Sequence, residues 1–326
     1  MKRLTNSLRW LLPVVLGFWA VLAQAASYSQ IYVFGDSLSD IGNLHAIDSQ
    51  YPVRFSNGPV AVEDLASGLG LTLSPSLHLL PPSVVNGNYG NDYAVAGAVA
   101  IDADGNPATA DINVPTQVNA FLMIHGGHAP SDALYVMMIG GNDIFAAQDI
   151  MIQGSWDSGT AADTRLQQAA AAVKTELQTL IAAGARHILV VDAPDVGKTP
   201  MTGIKAAQLK ATTTTLYGYF LSSELRQVSR WLSQDYDLRL AIAVDEVEEA
   251  TGLDIKQYSL FNLLDKLVAN PAEYGYTDVT DPCIYELTKV GVSPGCNFNT
   301  WLFYDEIHPT AVTHQRAGLG MLKLVQ

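Results

Sequence analysis

Cysteine is nearly absent: Cys283 and Cys296 are the only two. Two thiols cannot by themselves build a structural zinc site, and neither H-E-x-x-H nor C-x-x-C occurs, so neither a metal nor a cofactor is expected. Basic residues are also scarce, with 18 Lys and Arg against 32 Asp and Glu, a formal charge of −14. A chain this short of cations lacks the clusters that phosphate backbones require, which excludes nucleic acid as a partner, and charge does not draw it to anionic lipid. Charged residues make up only 15% and hydrophobic residues 48%, a globular rather than a disordered composition. No internal repeat and no Pro/Gly/Ser-rich linker interrupts the sequence, so residues 26–326 read as a single domain.

The first 25 residues carry what a secretory signal needs. Lys2, Arg3 and Arg9 form a positive start, residues 11–22 are apolar, and Ala23-Gln24-Ala25 offers a small-x-small cleavage site before Ala26. The apolar run is shorter than a membrane span and Pro13 interrupts it. No later segment is long and apolar enough to span a bilayer, so no stable membrane anchor is expected after cleavage. Cleavage takes the formal charge from −14 to −17. The expected location is periplasmic or extracellular. On that route Cys283 and Cys296 are expected to pair, a bond worth about 3 kcal/mol for a short loop.

Residues 30–34, 133–139, 187–191 and 238–244 are short aliphatic runs without strict alternation, as expected of parallel strands buried on both faces. Helical patterns lie between them: residues 164–183 before Gly184, residues 204–234, and a last helix entered at Pro309 and running to about Leu324. Alternating strands and helices predict an α/β chain with a parallel sheet covered on both faces, with ligands beyond the carboxyl ends of the strands.

Chemistry-bearing residues fall at those ends. The first strand runs into Gly35-Asp36-Ser37-Leu38, where a sharp turn can present the Ser37 hydroxyl; a helix cap is the plainer use of such a serine. The second strand runs into Gly140-Gly141-Asn142-Asp143, where Asn142 either aims its amide into the same crevice or caps a helix. Between them Gly97 can offer an unhindered backbone N–H. Near the C-terminus Asp305 precedes His308 by three residues. Its carboxylate can fold back on Nδ1–H and leave Nε2 as a base, unless the pair is only an acidic surface turn.

Taken in order, these four blocks resemble the GDSL, or SGNH, family of esterases and lipases, most of all its bacterial secreted lipases and phospholipid-active acyltransferases. The stretch Arg54-Phe55-Ser56-Asn57-Gly58-Pro59-Val60 resembles the segment after the nucleophile in secreted members. The resemblance implies a three-layer α/β/α sandwich with a flavodoxin-like parallel sheet. It implies Ser37 as nucleophile, His308 as general base and Asp305 as its orienting acid. The oxyanion hole it implies comprises the N–H groups of Ser37 and Gly97 and the side chain of Asn142. A monomer acting on a small-molecule or lipid ester is the corresponding expectation, with water or an alcohol receiving the acyl group. Carbohydrate deacetylation and a non-catalytic binding module are the alternatives. Position 39 is serine, so no G-x-S-x-G elbow surrounds Ser37, which sets the chain apart from the α/β-hydrolase pattern.

Overall fold

The computed structural model describes residues 28–101 and 111–326; the expected signal, residues 1–25, lies outside them. In chain order the elements are β1 (Ile31–Gly35), α1 (Asn43–Ile47), α2 (Ala61–Gly68), α3 (Pro82–Val85), α4 (Val114–Ile124), β2 (Leu134–Met138), α5 (Gly141–Gln153), α6 (Ser158–Ala183) and β3 (His187–Val191). There follow α7 (Pro200–Thr212), α8 (Leu216–Thr251), β4 (Lys256–Tyr258), α9 (Leu260–Ala269), β5 (Asp278–Pro282), β6 (Ile284–Tyr285), β7 (Gly291–Val292), β8 (Trp301–Phe303) and α10 (Ala311–Val325).

β1, β2, β3 and β4 form one parallel sheet in that spatial order. Residues 91–95 run beside the free edge of β1: Val33 N–H donates to Asn91 O, and the Tyr93 and Val95 N–H groups donate to Val33 O and Gly35 O. Counting that segment, the order in the chain is 2-1-3-4-5, the flavodoxin-like winding. Side chains alternate between two cores. Tyr32, Phe34, Tyr135, Met137, Ile188 and Val190 face α4, α5, α6 and α8. Ile31, Val33, Leu134, Val136, Met138, Leu189 and Val191 face α2 and α10. The sheet is therefore the middle of three layers, as expected.

Three expectations are corrected. Residues 238–244 are not a strand but part of α8. Leu240, Ala243, Val244 and Val247 are buried while Leu238 and Ile242 are exposed, which is helical spacing rather than a strand buried on both faces. The fourth strand is instead the three residues Lys256–Tyr258, half-exposed at the sheet edge. Residues 204–234 form two helices, because the chain extends at Thr213 and Thr215 caps the second by accepting from Gly218 N–H. The last helix begins at Ala311, two residues beyond Pro309, whose own backbone pairs with Phe303.

Candidate active site

The carboxyl ends of β1 and β2 must approach closely to bring their loops together. Gly35 permits this, since a Cβ there would lie 2.3 Å from Met138 O. The Gln117 amide grips the same glycine from α4, accepting from its N–H at 2.9 Å and donating to its carbonyl at 2.8 Å. Directly after this clamp the chain turns and presents Ser37, which is 8% exposed. Asp40 closes the turn by accepting from the N–H groups of Gly42, Asn43, Leu44 and Ala96.

β2 ends in a second tight turn. Gly140 has φ 128°, and a Cβ there would lie 2.2 Å from the Tyr236 ring, so both conformation and space call for glycine. The turn opens α5, whose first turn carries Asn142 and Asp143. Asn142 Nδ2 donates to Ala98 O at 2.8 Å, which orients the amide and leaves its second N–H free. Asp143 is fully buried. It accepts from Ala100 N–H at 2.9 Å and pairs with Arg165 at 2.8 Å. Together the two side chains tie residues 98–100 to α5. Gly97, in the turn just before them, has φ 86° and is exposed. Among the described residues neither its N–H nor that of Ser37 has an acceptor.

The third loop, residues 304–308, brings Asp305 and His308 to the same rim. His308 N–H and Ile307 N–H both donate to Asp305 Oδ1, folding Asp305 back under the imidazole. His308 Nδ1 lies 2.7 Å from Asp305 Oδ2 and 2.9 Å from Oδ1. His308 Nε2 lies 2.8 Å from Ser37 Oγ. With Nδ1–H donating to the carboxylate, Nε2 carries the lone pair that accepts the serine hydroxyl. Burial opposes charge on His308, but the Asp305 carboxylate and its hydrogen bond outweigh it and raise the imidazole pKa. Burial likewise opposes ionisation of Asp305, and the facing His308 outweighs it and lowers that pKa. Asp36, buried beside the serine, is pushed up to about 6 by burial, offset in part by Leu38 N–H.

Two braces hold the third loop. The stretch resembling the post-nucleophile segment supplies one. Phe55 packs 5.1 Å from the His308 ring, Ser56 Oγ donates to Pro309 O at 3.1 Å, and Asn57 Oδ1 accepts the first N–H of α10 at 2.9 Å. The disulfide region supplies the other. Cys283 and Cys296 are bonded, as expected from their number and route. Cys283 N–H and Ile284 N–H donate to Phe303 O and Tyr304 O. The buried Glu306 carboxylate accepts from Leu287 and Thr288 N–H. The sequence singled out Ser37, Asn142, Asp305 and His308, but not the positioning groups Gln117, Asp40, Asp143 and Glu306. Of these, Asp143 had a signal: it directly follows Asn142 in the same motif.

Ser37, Asn142 and His308 open onto a pocket that reaches solvent. Leu260, Leu263, Leu264 and Leu267 of α9 line one wall, and Leu302, Phe303, Ile307 and Ala317 another. Gly97 is not part of that lining.

A serine, a histidine and an aspartate joined in line at the carboxyl rim of a parallel sheet form the arrangement of a serine hydrolase. Residues 31–320 match the GDSL-like Lipase/Acylhydrolase family, and the chain belongs to it. It is similar to Lipase 1 of Photorhabdus luminescens, 33% identical over 184 residues, which cover 56% of this chain and 24% of that lipase's own length. A GDSL esterase/lipase of Arabidopsis thaliana is 25% identical over 336 residues, covering 90% of this chain and 85% of its own. Phosphatidylcholine-sterol acyltransferase of Aeromonas hydrophila is 23% identical, with 82% of this chain and 70% of its own covered.

Proposed function

We propose that this protein is a secreted esterase that cleaves acyl lipids, with Ser37 as nucleophile, His308 as base and Asp305 as the group that orients it. His308 Nε2 takes the hydroxyl proton as Ser37 Oγ bonds to the ester carbonyl carbon. The negative charge on the former carbonyl oxygen is met by the N–H groups of Ser37 and Gly97 and by the free N–H of Asn142. His308 then returns the proton to the departing alcohol. Water, activated by the same imidazole, releases the acid.

The observation that carries the reading is the hydrogen-bonded line from Asp305 through His308 to Ser37 at the mouth of a leucine-walled pocket. That wall also favours an acyl chain over an acetyl group. Each methylene buried is worth about 0.8 kcal/mol, so six more carbons gain up to about 5 kcal/mol. The sugar deacetylase alternative has no such use for four leucines. The disulfide supports passage through an oxidising compartment.

The test is a panel of p-nitrophenyl esters from acetate to palmitate, a phospholipid and an acetylated xylan, beside a fluorophosphonate label. Labelling at Ser37 and a kcat/KM that rises with chain length are expected. A folded protein that takes no label at Ser37 overturns the catalytic reading in favour of a binding module. Highest activity on the xylan overturns the lipid reading alone.

A further inference from the structure

We propose that a helical tip projecting above the pocket, formed by Trp156, Leu216, Tyr219 and Phe220, docks this protein on a zwitterionic phospholipid surface; the inference rests on the lipid-ester reading. The topology sets the tip on the substrate side. Tyr236 Oη donates to Ile139 O at the carboxyl end of β2, so that point of α8 stands at the rim of the sheet. Below it α8 runs back along the sheet toward β4. Above it residues 216–235 extend the helix by about 30 Å at 1.5 Å per residue. α5 rises beside it from the active-site turn: Gln148 Nε2 donates to Ser229 Oγ and Thr202 Oγ, and Tyr217 Oη donates to Met151 O. The tower has its own small core of Tyr217, Leu221 and Leu225. Phe145 and Val196 at its base line the catalytic pocket.

At the top, four large side chains face solvent. Trp156 is 63% exposed, Leu216 79%, Tyr219 54% and Phe220 49%. Trp156 packs 5.4 Å from Phe220, so they form one patch rather than scattered residues. The surrounding charge is as informative. Residues 211–223 contain no charged side chain, and residues 150–160 contain one, Asp157, in a protein of formal charge −14. A neutral, aromatic point on an otherwise acidic molecule fits a surface that is itself net neutral and has an apolar layer under polar headgroups. Trp, Tyr and Phe are the side chains that settle at that depth. An anionic membrane would repel the rest of the molecule. Docking there would point the pocket mouth at the layer that holds the ester substrate.

Phosphatidylcholine vesicles test this, using the full mature chain, with p-nitrophenyl acetate in solution as the measure of an intact site. Trp156→Ser/Phe220→Ser and, separately, Leu216→Ser are expected to lower vesicle partitioning at least tenfold and vesicular ester turnover in proportion. Turnover of p-nitrophenyl acetate should stay within twofold. Trp231→Ser, on the same helix but below the tip and 59% exposed, is expected to leave partitioning unchanged. Adding phosphatidylglycerol should weaken binding. Three results overturn the proposal: tip variants that partition like the wild type, a Trp231 effect as large as theirs, or an active wild type that ignores the vesicles. So does a tip variant that only turns a dimer into a monomer, which would assign the patch to a second copy of this chain. Loss of turnover on every ester by the wild type would strike the catalytic reading instead, while vesicle partitioning still decides the docking.

Discussion

His308 Nε2 and Ser37 Oγ, separated by 271 residues in the chain, lie 2.8 Å apart in the fold. The serine is carried by the turn after β1 and the histidine by the loop before α10, on the two ends of the described chain. Neither contact contributes much to the core, because both side chains sit at the rim. Ser37→Ala and His308→Ala are therefore expected to lower kcat by about 10⁴-fold or more while thermal unfolding midpoints change by only a few degrees. Steady-state kinetics on p-nitrophenyl butyrate beside circular dichroism checks both halves.

Asp305 gives the next prediction a sign. His308 faces Asp305, Asp36 and Glu286, and their negative charge outweighs burial to hold the imidazole pKa above its ordinary value. Only the neutral imidazole can take the serine proton, so kcat/KM should fall as pH drops through that raised value. In Asp305→Asn the largest opposing charge is gone and burial pulls the imidazole down. The acid limb of the profile is expected to move to lower pH, and the plateau to fall by about 10²- to 10⁴-fold because the tautomer is no longer held. An acid limb left where it was in the variant would show that Asp305 does not set the base.

Asn142 is held by one N–H to Ala98 O, and its side chain lines the same pocket as Ser37. Asn142→Ala should reduce kcat by about 10²- to 10³-fold, the loss of one oxyanion donor, with KM little changed. Asp143→Asn keeps the Ala100 N–H acceptor but loses the Arg165 ion pair, so a smaller loss, together with lower thermal stability, is expected from it. Unchanged turnover in Asn142→Ala would remove that side chain from the oxyanion site.

The readable parts of this fold are those with a local period or a local motif. The strands Ile31–Gly35, Leu134–Met138 and His187–Val191 are buried on both faces and look so in sequence. The last strand did not, because three edge residues with Lys and Gln carry no hydrophobic signature. The segment LRLAIAV misled because a short run of six aliphatic residues around one arginine fits a strand or the inner face of a helix equally; burial of Leu240, Ala243, Val244 and Val247 decides for the helix. At the site, serine, histidine and aspartate were legible because each sits in a short motif. Gln117 on Gly35 and Glu306 on the 287–288 turn were not. They act through backbone groups brought near only by the tertiary fold, and such contacts leave no periodic trace.

The disulfide brace predicts a coupling between redox state and catalysis. Reduction, or Cys283→Ser/Cys296→Ser, frees a short loop worth about 3 kcal/mol, which for a domain of this size is a fall of about 5–10 °C in the unfolding midpoint. The released strand is the one that holds Phe303 O and Tyr304 O, next to Asp305. Below the new midpoint kcat should still fall several-fold, with Glu306→Gln producing a milder form of the same loss. Scanning calorimetry and kinetics with and without a thiol reductant measure this. A reduced enzyme that is less stable yet fully active would confine the brace to stability.

A half-buried carboxyl pair outside the site, Asp192 and Asp237, gives the fold's stability a pH dependence of predictable sign. Asp237 on α8 accepts from Ala193 N–H at 3.0 Å through Oδ1, while its Oδ2 is buried with no partner among the described residues. Burial, then the neighbouring Asp192, pushes its pKa far above the carboxylate range; burial also raises Asp192, to about 6. In the unfolded chain both ionise at about 4. Between that value and the raised folded ones the native state binds more protons than the unfolded state. The stability these groups contribute is therefore greatest at acid pH and is lost as pH rises. Asp237→Asn keeps the acceptor for Ala193 and removes the ionisable group. It is expected to raise the unfolding midpoint at pH 8 and to leave it nearly unchanged at pH 4. A variant whose gain is equal at both pH values would mean that packing, not proton binding, governs this position.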